Sequence, residues 1–89
     1  MTPTAIAAAL PRRRSAFEGR VVSATAFARP HLRFDVVLDD GTGAITLRFT
    51  GRPRIPGMRL GQIVHVEGTP AEVGSALIIL NPGYAFSDR

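Results

Sequence analysis

From Gly19 onward, glycine or proline interrupts the chain about every ten residues, and the segments between tend to alternate apolar and polar side chains. No apolar stripe of period 3.6 is sustained, which argues against helices; a period of two puts successive side chains on opposite faces of short strands. In LRFDVVLDD (32–40), Leu32, Phe34, Val36 and Leu38 share one face, and Arg33, Asp35, Val37 and Asp39 share the other. In AITLRFT (44–50), Ile45, Leu47 and Phe49 oppose Thr46, Arg48 and Thr50. Asp40, Gly41, Thr42 and Gly43 join the two segments through a turn short enough to make them a hairpin.

Three further segments have strand character: FEGRVVSATAFA (17–28), QIVHVEGT (62–69) and ALIILNP (76–82). Five short strands in one small domain predict an all-β, closed five-stranded Greek-key barrel, since closure removes sheet edges that invite aggregation. Such barrels often place a helix between strands three and four. Here that connection is GRPRIPGMRLG (51–61), and Pro53 and Pro56 predict a short loop instead. PAEVGS (70–75) is expected to turn the last hairpin. Residues 1–15 differ in composition, an Ala-rich run followed by PRRRS, and read as a flexible basic arm before a barrel domain over 16–89. At 89 residues, the chain has material for one core.

Several chemistries are disfavoured. The glycines of the 40–43 turn are not a phosphate cradle: the chain has no lysine for a P-loop, and position 46, where a dinucleotide fingerprint needs its third glycine, is Thr. They are turn glycines. No serine sits in a nucleophile-elbow context, and His31 and His65 lack metal-ligand spacing. Cysteine is absent, which removes disulfides and thiolate chemistry and is in keeping with a cytoplasmic protein. The expectation is a non-enzymatic protein without cofactor, metal or small-molecule substrate. The apolar run AIAAAL (5–10) is too short to span a bilayer, and its arginines follow it rather than precede it as in a signal peptide. All eleven basic residues are arginine, and the net charge of +4 favours polyanionic partners.

The run GRVVSATA, FDVVLDDGTGAITLRFTG and LGQIVHVEGTPAEVGSALIILNPGY resembles the OB-fold, most closely the wedge domain of RecG-type branched-DNA helicases. It is also similar to small actinobacterial OB-fold nucleic-acid-binding proteins. The marks are Gly19 to Val22, the 38–43 turn, GRPRIPG (51–57), Leu60-Gly61, Val64-x-Val66-x-Gly68 and Asn81-Pro82-x-Tyr84. The likeness covers about 70 of the 89 residues, all but the arm. It implies a nucleic-acid-binding module, for single-stranded or branched DNA in preference to RNA, with repair or recombination proteins as further partners. No helicase motor accompanies it.

The resemblance places binding on the outer face of strands two and three and the adjoining loops. Candidate nucleic-acid-binding residues are then Arg33 and Arg48 on that face, Arg29 and His31 in the first loop, Phe27 as a stacking side chain at its entry, and Arg52, Arg54 and Arg59 around the 51–61 connection. Phe34 and Phe49 fall in phase with the core, and Tyr84 and Phe86 are expected to seal the barrel end. Two competing readings stand beside this one: the arginines are ordinary surface charges paired with Asp35, Glu67 or Glu72, or the domain docks proteins through outward Val37, Ile63 and Ile78.

Overall fold

The computed structural model describes residues 2–87. The strands are β1 (Ser15–Phe27), β2 (Arg33–Asp39), β3 (Ala44–Thr50), β4 (Ile63–Gly68), β5 (Pro70–Val73), β6 (Ala76–Leu80) and β7 (Gly83–Phe86). Their order in one curled sheet is β5-β6-β3-β2-β1-β4-β7. Only Thr69 separates β4 from β5, and β4 pairs with β1 while β5 pairs with β6. This bent segment therefore closes the barrel; the fourth strand expected from the sequence covered only its first arm (62–69), and β5 forms where 70–75 were expected to turn. Gly68 permits the bend, because a Cβ there would lie 2.5 Å from Ile79 Cγ2. The architecture is the OB-fold. Its strand count is seven instead of five because β5 forms in place of the expected turn and β7 adds a strand beyond the barrel.

The hairpin forms as the alternation requires. β2 and β3 pair from Arg33↔Thr50 to Asp39↔Ala44, which buries Phe34, Val36 and Leu38 against Ile45, Leu47 and Phe49. Gly41 adopts φ +88°, and the Asp39 and Asp40 carboxylates accept amide hydrogen bonds from Gly41, Thr42 and Gly43. No helix forms between β3 and β4; the loop instead inserts Ile55 and Met58, 3% and 4% exposed, into the core.

β1 is long because it serves two partners, β4 through residues 15–20 and β2 through residues 20–27. Its register shifts by one residue between Val21 and Ser23. Before that bulge the odd-numbered Phe17, Gly19 and Val21 point inward; after it Ala24 packs on the core and Phe27 is exposed.

The N-terminal segment departs from the expected flexible arm. Ile6, in a single 3-10 turn (Ile6–Ala8), is 4% exposed and belongs to the core cluster. The Ile6 amide donates to Asp40 Oδ2 (2.8 Å) and the Ala7 amide to Thr42 Oγ1 (3.1 Å). Thr4 and Arg12 amides donate to the carbonyls of Ala16 and Pro70. One buried isoleucine and a turn rich in acceptors account for the docking, which an Ala-rich composition conceals. Among the described residues, no helix is long and apolar enough to cross a membrane.

Candidate nucleic-acid interface

The bulge in β1 and the β2–β3 register together define the outer face. One cross-strand row reads Phe27, Arg33, Thr50; the next reads Thr25, Asp35, Arg48, Leu80. Side chains in these rows stand beside one another on one surface.

Arg33 and Arg48 meet through a carboxylate. Asp35 accepts from Arg48 Nε at Oδ1 and from Arg48 Nη2 at Oδ2, both at 3.1 Å, and from Arg33 Nε at 3.4 Å. The three side chains are about a quarter exposed or less, at 26% for Arg33, 25% for Arg48 and 14% for Asp35. The Asp35 hydrogen bond raises the Arg48 guanidinium above its ordinary value; burial opposes this and the Asp35 charge adds to it. Arg33 also lies over the Phe27 ring, its Cζ 4.4 Å from the centroid, and Phe27 is 38% exposed. Phe27, Arg33, Asp35 and Arg48 are thus one packed cluster. Asp35 was legible in the sequence as a face-mate of Arg33, but its grip on both arginines depends on its position directly opposite Arg48.

The remaining candidates flank this cluster or stand apart from it. Arg29 and His31 are exposed in the loop between β1 and β2, beside Phe27. Arg52 is exposed just past β3 and lines a cleft of about 350 Å³ with Phe49, Thr50, Asn81, Pro82 and Tyr84. Arg54 and Arg59 are exposed further along the 51–61 connection. Of the expected pairings, Asp35 takes two arginines and Glu67 takes Arg14 at 3.0 Å.

Charge is separated along β2. Its Arg33 end carries the arginines; its Asp39 end adjoins a cleft of about 420 Å³ lined by Glu18, Gly19, Arg20, Asp39, Asp40 and Ile63. Burial alone would raise the Asp40 carboxyl, but hydrogen bonds from the Thr42 hydroxyl and the Ile6, Thr42 and Gly43 amides outweigh it and hold the pKa at about 2. Among the described residues, no group of three His, Asp or Glu side chains gathers as a metal-binding set.

Two features of the surface differ from expectation. The outward apolar patch does not form as drawn: Ile78 is 7% exposed, and Val37 and Ile63 are half-buried. Tyr84 and Phe86 do not seal the barrel end completely, remaining 39% and 37% exposed on β7. The Asn81-Pro82-x-Tyr84 run marked the position but not the exposure.

No family model matches the sequence, and no curated protein matches it. Solved structures do. The chain is similar to the solution structure of the second OB-fold domain of replication protein A from Methanococcus maripaludis, with a TM-score of 0.78 and 20% identity over 99% of this chain and 97% of that one. It is also similar to a replication factor A related protein from Methanobacterium thermoautotrophicum, with a TM-score of 0.73 and 15% identity over 98% and 92%. At such identities the likeness is one of fold, and the chain is an OB-fold domain spanning nearly the full length of each.

Proposed function

We propose that the outer face of β1, β2 and β3 binds nucleic acid, chiefly single-stranded or branched DNA, through phosphate contacts that are largely independent of sequence. The observation that carries this reading is the Phe27–Arg33–Asp35–Arg48 cluster, which sets an exposed aromatic ring beside two guanidinium groups on one face. Guanidinium forks suit phosphate, and an exposed ring accepts any base by stacking. Arg29 and Arg52 extend the positive surface to either side of the cluster, and His31 adds a polar ring beside Arg29. The names of the two structural neighbours, a replication protein A domain and a replication factor A related protein, support the same class of partner. The RecG-wedge likeness in the sequence is the reason to include branched DNA. In this reading the domain binds without catalysing, inside a cytoplasmic repair or recombination assembly.

The test is a low-salt anisotropy titration against single-stranded, duplex and forked DNA and single-stranded RNA of matched sequence. Binding to single-stranded or forked DNA ahead of RNA is expected. No shift with any of the four would end the nucleic-acid reading and leave the protein-docking one.

A further inference from the structure

β7 carries two aromatic rings that the barrel only half covers. The Tyr84 and Phe86 centroids lie 5.6 Å apart, and Tyr84 also meets the buried Phe49 ring at 5.6 Å, with the planes at 82°. Phe49 thus supports Tyr84 from the core side, while 39% of the tyrosine stays open to solvent.

Beside Tyr84 lies the cleft of about 350 Å³, and its far wall is held in place. Asn81 adopts φ +47°, a left-handed conformation in which Asn is enriched among non-glycine residues. Its Oδ1 accepts the Thr50 amide, its Nδ2 donates to Thr50 Oγ1, each at 3.0 Å, and its own amide donates to the Arg48 carbonyl at 2.8 Å. Arg52 is the one charged side chain among the described residues lining the cleft. The cleft also adjoins the proposed binding face, because Thr50 is both a cleft wall and the cross-strand partner of Arg33. With strands about 4.8 Å apart, Phe27 and Thr50 stand roughly 10 Å from each other across the sheet.

Resting on the nucleic-acid reading above, we infer that the Tyr84 cleft is a second base-stacking subsite. A single strand crossing Phe27 and Arg33 continues past Thr50 and lays a base on Tyr84, with Arg52 on the adjoining phosphate. A duplex keeps its bases paired and stacked on one another, so the subsite takes single strands only.

Tyr84 is the only tyrosine and there is no tryptophan, so the protein's tyrosine emission reports this one ring. The experiment titrates the full chain with a thymidylate oligomer of about 12 nucleotides, within the range one OB-fold occupies. Anisotropy and tyrosine emission, corrected for inner-filter absorption, are followed together. The expected result is quenching that saturates with the anisotropy, unchanged affinity in Tyr84→Phe, and weakening by roughly 5- to 150-fold in Tyr84→Leu. Arg52→Ala, an exposed loop change, should weaken binding and lower the salt slope by about 0.7. Binding with unchanged tyrosine emission, or wild-type affinity in both folded Tyr84→Leu and Arg52→Ala, overturns the subsite and leaves the β1–β3 face standing. Absence of anisotropy change in the wild type overturns both.

Discussion

Asp35 grips Arg48 with both carboxylate oxygens, Nε to Oδ1 and Nη2 to Oδ2 at 3.1 Å each, in the middle of the surface proposed to bind phosphate. An incoming phosphate must compete with this carboxylate for the same donors. Asp35→Asn is therefore expected to tighten DNA binding while lowering stability, each by about 1 kcal/mol, the upper range for a partly exposed pair. In affinity this is about fivefold. Parallel titrations and urea denaturation of the variant check both signs; unchanged or weaker binding would mean that Asp35 serves the interface rather than competing with it.

Phe27 reaches the outer face because one residue is inserted in β1 between Val21 and Ser23. Phe27→Ala should weaken single-strand binding by roughly 1–3 kcal/mol, the worth of one stacked base, with little effect on stability. The same titration, paired with a thermal melt, separates the two effects. A core role for Phe27 would reverse the pattern.

How much of this was legible follows the range of each signal. The β2–β3 hairpin was readable because its period-two pattern and its turn lie within twenty consecutive residues, and the outward placement of Arg33 and Arg48 came with it. The bulge was not readable: Val21 and Val22 are adjacent and chemically identical, one buried and one 51% exposed, and neither marks which is the extra residue. Pro70 looked like the start of a turn, whereas it is a fully buried first residue of β5, a position where proline's missing N–H is tolerated. β7 has only four residues and no alternation in burial, so Tyr84 and Phe86 carried no strand signal. The docking of Ile6 depends on Asp40, 34 residues away, and no local pattern reports it.

Ile6 gives a direct check of that docking. Because it is 4% exposed within the core cluster, Ile6→Ala should cost about 2–5 kcal/mol in urea denaturation. An undocked arm would show no loss.

Acid should loosen the same contact. The Asp40 pKa is lowered from 3.8 to about 2 in the folded protein, so between these values the unfolded chain binds the proton more readily. The stabilisation from the Asp40 carboxylate is complete above the unfolded value and is lost as pH falls toward the folded one. Denaturation midpoints should thus drop from pH 5 to about pH 2, and Asp40→Asn should flatten part of that drop. The protection of the Ile6 amide, which donates to Asp40, relative to its intrinsic hydrogen-exchange rate should fall over the same interval.

The central claim is that Arg33 and Arg48 contact phosphate, and the salt dependence of single-stranded DNA binding tests it most directly. Each phosphate contact contributes about 0.7 to the slope of log K against log salt on a single strand. Replacing both arginines by alanine should weaken binding to unrelated sequences alike and reduce the slope by about 1.4. A slope unchanged from wild type in a folded double variant would contradict the account and place the phosphate contacts elsewhere on the surface.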